Sequence, residues 1–352
     1  GPYNIAVGIG AGQSFQAINS TQGSSAIAIG QQAGQGSQQI GAIAIGCQSG
    51  QYTQGQYAVA LGHNSGFTQQ GPYNIAIGYL AGQSFQAITS TAGTCTIAIG
   101  NQAGNSSQQV GAIAIGMQAG TYTQGQYAVA IGQQAGQSNQ GNQAVAIGYQ
   151  AGNYSQNINS IAIGYQSGYT IQSASTVAIG WQAGKTNQGN SGVAVGVNAG
   201  SGGQGSNTVA IGNGAGQYTQ GNTAIAIGTA GYWNQNTYGI AIGGACGFTN
   251  QAAYTVAIGY SAGQITQGQY GVAIGQFAGQ YTQGTNAIAI GLQAGQTNQG
   301  ANAIAIGINA GQVTQKTGAI AIGTNAGQTS QSTNAIAIGV NAGQTNQSTN
   351  AI

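Results

Sequence analysis

Few residues of this chain could do chemistry, and none stands beside the partner it would need. Ala183-Gly184-Lys185-Thr186 has the ending of a phosphate-binding loop. Gly180, however, is one residue too close to Gly184 for that loop, and no strand-plus-helix context surrounds it. His63 follows Gly62 at a variable position, with neither a cysteine nor a carboxylate to complete a triad or a metal site, and reads as an exposed turn residue. Cys47, Cys95 and Cys246 are odd in number, far apart and at different places in the local pattern, so neither a disulfide framework nor a zinc spacing emerges. Cys246 stands where Ala262 stands in a neighbouring stretch, which fits a small buried side chain. Asn19, Asn105, Asn153 and Asn346 open Asn-x-Ser/Thr triplets, acceptors for glycans in a secretory pathway and expected by chance in a chain this rich in Asn, Ser and Thr.

The charge inventory closes most enzyme classes. The 352 residues hold two lysines, Lys185 and Lys316, no arginine, and no aspartate or glutamate. A paired-carboxylate acid/base site, an acidic calcium cage and a basic nucleic-acid surface all require charges that are missing. The expectation is therefore no enzyme, no catalytic, cofactor-binding or metal residue, no nucleic-acid partner and, lacking a long apolar run, no membrane insertion in this segment. Solubility must rest on amides and hydroxyls, with little response to salt.

What the chain does have is metre. The unit Ala-Ile-Ala-Ile-Gly-x-x-Ala-Gly-Gln-x-x-Gln-Gly-x-x recurs about 21 times, and its closing glycine returns every 16 residues from Gly30 onward, apart from one gap of 22 (Gly78 to Gly100) and one of 15 (Gly228 to Gly243). A first gap of 22 separates Gly8 from Gly30, and the two long gaps belong to a 70-residue super-repeat, residues 1–70 and 71–140, with insertions near 15–20 and 85–90. Units this short cannot bury an apolar face alone and must stack. Alternation of large and small residues, as in Ile304-Ala305-Ile306, is the two-residue period of a strand. Two glycines per unit mark two backbone corners, and a second extended segment, Gln-x-x-Gln, follows. The expected fold is all-β: a parallel β-solenoid of about 21 coils, one domain over 1–352, forming a segment of a longer fibrous protein and, at about 4.8 Å per coil, a rod on the order of 100 Å long.

Some positions never change. Ala6, Gly8, Gly12 and Gln16 in the first unit correspond to Ala305, Gly307, Gly311 and Gln315 near the end. Identical glutamines stacked at strand spacing form amide ladders, so these four positions read as structural columns. Two branched aliphatics and a few alanines return less by burial than a sixteen-residue coil loses in ordering entropy. A thin coil of this kind should also bury a face against another chain, and the flat small-residue face is the natural candidate. The expected partner is the chain itself, as a homo-oligomer or end-to-end filament.

Asn-Ala-Ile-Ala-Ile-Gly-x-Asn-Ala-Gly, at 302–311 and 334–343, resembles the head repeats of YadA-type trimeric autotransporter adhesins, whose units read roughly Asn-Ser-Val-Ala-Ile-Gly followed by small residues. The resemblance covers essentially the whole chain and extends more vaguely to fibre repeats of phages and large DNA viruses. It implies a left-handed β-roll, three chains around one axis, an extracellular place on a cell or virion surface, and adhesion to a host glycan or protein. The chain departs from that family in its longer unit, its Gln-x-x-Gln segment and its lack of charge.

Specificity would lie in what varies. Tyr79, Tyr149, Tyr165, Trp181 and Tyr260 follow closing glycines, and Phe15 and Phe85 precede the insertions. These aromatics either present contact stripes to a ligand or cover the flank of the coil and pack between chains. Three readings follow: a structural or adhesive fibre shaft, an ice-binding solenoid, and a β-rich extracellular filament without a specific ligand. Ice binding calls for a regular threonine array, whereas Thr314, Asn298 and Ser330 share one position.

Overall fold

A computed structural model of the chain describes residues 3–16, 25–86 and 95–352. The chain divides into two compact units, 1–176 and 177–352. Each is a parallel β-solenoid with a 16-residue period, and the described residues contain no helix.

One coil shows how the sequence winds. In Ile43–Ile45 the branched residues hold the backbone extended, and Gly46, at φ 125, ends the strand where an L side chain rarely follows. Gln48 takes a left-handed conformation (φ 56) and Gly50 another (φ 51), which turns the chain back. The two-residue strand Thr53–Gln54 follows, then a left-handed Tyr57 leads into the next long strand, Val59–Leu61. Two of these left-handed steps carry no glycine. Asparagine, glutamine and tyrosine occupy them in coil after coil, and the inter-coil bonds of the turns, such as Gln48 N–H to the Gln31 carbonyl at 2.8 Å, hold them there.

Like residues stack on like. In the first unit Ile43, Ala44 and Ile45 pair with Val59, Ala60 and Leu61, and those with Ile75, Ala76 and Ile77. In the second, Ile288–Ile290 pairs with Ile304–Ile306 in the same register, and Gln299 with Gln315 on the short strands. The stack is so close at the closing glycine that a Cβ on Gly46 would lie 2.6 Å from the Gly62 carbonyl oxygen. That contact and the positive φ together explain why the position admits only glycine.

The interior is the reverse of the expected one. The alanine of each long strand, the alanine before it and the small residue ahead of the second glycine are the core: Ala44, Ala58 and Ala81 in the first unit and Ala305, Ala303 and Ala310 in the second have no exposed surface. The branched aliphatics point outward and stay partly exposed, with Leu61, Ile211 and Ile306 keeping 41, 39 and 36% of their surface. The small-residue face is thus not a free contact face but the inside of the coil. Volume decides this. Opposite the alanines lies a buried glutamine, and a Cβ added to Gly50 would already sit 3.0 Å from the Gln54 side chain and 3.4 Å from the Ala44 methyl. There is no room inside for isoleucine.

Most serines and threonines that replace a core alanine satisfy their hydroxyl locally, whereas the buried Thr96 hydroxyl has no hydrogen-bond partner among the described residues. Ser49 and Ser65 donate to the carbonyls of Gly46 and Gly62, and Thr255 to that of Ala252, each three residues back.

Candidate functional surfaces

The glutamine column is the polar half of the core. Gln54 Nε2 donates to the Ile43 carbonyl at 2.6 Å, to the Ala58 carbonyl at 3.2 Å and to Gln70 Oε1 at 3.3 Å. The first bond spans the coil, the second ties its end to the next long strand, and the third continues the ladder. Gln315 repeats the set at 2.8, 3.1 and 3.1 Å. An amide has two hydrogens for these three acceptors. Where both serve main-chain carbonyls, as for Gln220 and Gln267, the next oxygen in the column, Oε1 of Gln235 or Gln283, is buried without a donor. A second, shallower ladder runs from Gln264 through the buried Gln280 and the half-buried Gln296, Gln312 and Gln328 to the exposed Gln344, at 2.8–3.2 Å per step.

The remaining structural positions fall as follows. Ala305, Gly311 and Gln315 are buried and Gly307 partly so. At the start of the first unit Ala6 and Gly8 are exposed and Gly12 is half-buried. Gln16 pairs by its backbone with Gln38, while its side chain, like that of Phe15, lies outside the described residues. Most of both insertions, residues 17–24 and 87–94, lies outside them as well.

The chemistry-bearing residues stay apart. His63 is exposed and stacks on Tyr79, with ring centroids 5.6 Å apart. Cys95 is exposed, Cys47 half-buried and Cys246 enclosed, where burial pushes its thiol up to about 12. Among the described residues no cluster of three His, Cys, Asp or Glu side chains could hold a metal ion, and no helix is long and apolar enough to cross a membrane. Two of the glycan triplets are structurally engaged. Asn105 Nδ2 donates to the Leu80 carbonyl and Gln83 Oε1, and the buried Asn153 to the Gln134 carbonyl and Gln137 Oε1. Asn346 is exposed, and Asn19 lies outside the described residues.

Two kinds of surface remain. The first is the aliphatic stripe, two outward branched side chains per coil on ten long strands from Ile5–Val7 to Ile161–Ile163 and on eleven from Val177–Ile179 to Ile336–Ile338. Alternation alone could not reveal it, because parity separates Ile from Ala without saying which is inside. The second is aromatic. Tyr79, Tyr149, Tyr165, Trp181, Tyr260 and Phe85 are all exposed. Tyr149 stacks on Tyr165 at 5.2 Å, and Tyr260 meets Phe277 edge-on at 5.6 Å.

The structure adds two further aromatic groups. Tyr238, Tyr254 and Tyr270 form a stacked ladder at 4.9 and 5.3 Å, all at the left-handed position before the long strand. Their sixteen-residue spacing was the available signal. The other group is Tyr218, Tyr232, Trp233 and Phe248. Tyr218 and Trp233 lie face to face at 3.7 Å, and Tyr232 and Phe248 at 4.9 Å. Tyr232 also meets Tyr218 edge-on, and a hydrogen bond between the two, with a smaller contribution from burial, raises the Tyr232 hydroxyl above its ordinary pKa.

No protein-family model matches the chain, and no curated protein matches it in sequence.

Proposed function

We propose that this chain is the repeat shaft of a structural or adhesive fibre on the outside of a cell or virion, and that it assembles with copies of itself through the aliphatic stripe. In this reading the coils wind left-handed and three chains share one axis, as the family resemblance implies. The stripe is the observation that carries the proposal. At roughly 50 Å² of apolar surface per outward side chain, one unit presents on the order of 1,000 Å², against about 800 Å² per partner in a stable interface. Soluble proteins seldom leave an apolar band of that size uncovered. A second copy is the occupant that fits. It offers branched side chains at the same axial repeat, so ridges meet coil by coil, and a surface with only two lysines brings little repulsion between copies.

Sedimentation velocity tests this. The parent chain should run as an oligomer, and a variant carrying threonine at the outward aliphatic positions of all the long strands as a monomer with an unchanged β-type circular dichroism spectrum. A monomeric parent, or a variant that stays oligomeric, refutes assembly through the stripe. Cryo-electron microscopy of the parent then gives chain number and hand.

A further inference from the structure

The Tyr218–Trp233 stack ends abruptly. Trp233 pairs in register with Thr249, so the column along the short strands reads tyrosine, tryptophan, threonine. Tyr218 covers one face of the indole at 3.7 Å and 4° between planes. On the other side the column continues with a small hydroxyl side chain, and among the described residues no ring stacks there. Trp233 keeps 41% of its surface exposed. Its orientation is fixed beforehand, because Tyr232 meets both Tyr218 and Trp233 edge-on, at 5.2 and 5.6 Å, and braces the stack. The residue after each of the two column positions, Asn234 and Asn250, is an exposed amide, with Nδ2 of the first 3.5 Å from Oδ1 of the second.

We propose that this ledge binds a neutral saccharide, with the apolar face of one pyranose ring on the indole and its hydroxyls on Asn234, Asn250 and Thr249. A pyranose presents C–H groups on its face and hydroxyls around its rim. Here an exposed aromatic face is followed along the column by a hydroxyl and along each strand by an exposed amide. Neither lysine of the chain belongs to the cluster and no carboxylate exists, so an ionic ligand would find no countercharge. An aromatic side chain of a partner protein could use the indole but would leave the amides unmatched.

The chain has two tryptophans, so a Trp181→Phe background makes emission report Trp233 alone. In that background, titration with neutral β-linked glucose and N-acetylglucosamine oligosaccharides should give a saturable shift or quenching with at least one of them. Thr249→Tyr, which places a ring on the open face while leaving Trp233 in position, should weaken binding at least tenfold, and so should Trp233→Ala in affinity electrophoresis. The proposal is overturned if no neutral oligosaccharide gives a saturable signal, if binding survives Thr249→Tyr, or if only aromatic peptides bind. Sedimentation of the same samples reads assembly separately, so failure here is distinguishable from failure of the fibre reading.

Discussion

Within the second unit, the run of closing glycines Gly275, Gly291, Gly307, Gly323 and Gly339 keeps strict time, whereas the coil from Gly228 to Gly243 is one residue short. In the regular run φ at these glycines stays between 123 and 127° and the long strands are three residues long. In the short coil one residue is missing between Gly228 and Ala230, and the left-handed step of the turn goes with it. The strand runs on through Thr229, Gly228 relaxes to φ 96°, and Gly228 and Thr229 pair with Gly243 and Gly244. The core does not register the loss. Ala226 and Ala241 remain fully buried, and Gln235 Nε2 still donates to the carbonyls of Ile225 and Gly239, at 2.7 and 2.9 Å. The surface does: a single residue, Thr229, stands where other coils have two, and its hydroxyl accepts from the Ala245 N–H at 3.3 Å. The interior columns therefore set the fold, and the turn after the closing glycine sets what the surface displays.

The sharpest way to break that distinction is a methyl group in the regular run. Gly291→Ala places a Cβ 2.6 Å from the Gly307 carbonyl oxygen at a φ of 127°, and backbone on both sides cannot yield. The expected loss is on the order of 5 kcal/mol. It should appear as a large drop in the urea midpoint and as accelerated amide exchange in the coils flanking Gly291. An unchanged midpoint would mean that the coils are not stacked as described.

How far the sequence could anticipate this follows from what each feature depends on. The glycine and glutamine columns were legible because the same side chain must meet its own copy in every coil. The direction of the Ile-Ala-Ile strand was not. It depends on the space left beside buried glutamines, a three-dimensional volume that alternation does not encode. The Trp233 ledge was hidden for a different reason. Counted in strict sixteens, Tyr218 aligns with Asn234, and only the missing turn residue brings it onto Trp233.

A pH titration sharpens the comparison from inside the short coil's neighbour. Cys246 takes a core alanine position, and burial raises its thiol from 9.0 to about 12 in the folded chain. A raised folded-state value contributes stability that is intact below pH 9 and is lost progressively as pH climbs from 9 to 12, because the unfolded chain ionises first. The full loss is on the order of 4 kcal/mol. Tyrosines titrate in the same window, so the informative quantity is the difference in urea midpoint between the parent and Cys246→Ala. That difference should be constant below pH 9 and move in favour of the alanine variant above it. In acid neither chain has a side-chain carboxylate to protonate, and both should keep their midpoints. A difference that stays flat to pH 12 would place the thiol in solvent.

The smallest effect should come from the counterpart of the first substitution. Gly244 directly follows the closing Gly243, lies outside the left-handed region, and a Cβ there would meet only the Tyr260 ring at 3.2 Å and more distant side chains. That ring is exposed and can swing by a few tenths of an ångström. The same position carries His63, Tyr79 and Trp181 in other coils, so the backbone there accepts large side chains. Gly244→Ala should change stability by less than about 0.5 kcal/mol, with a slight gain from lower unfolded-state entropy as the favoured sign. Read by the same urea midpoint as Gly291→Ala, the pair separates two glycines placed by different causes: one is demanded by the stacking of backbone on backbone, the other is one occupant among many of a surface position. A loss at Gly244 comparable to that at Gly291 would show that the extended Gly228–Thr229 and Gly243–Gly244 pairing is a constraint of the core rather than a freedom of the surface.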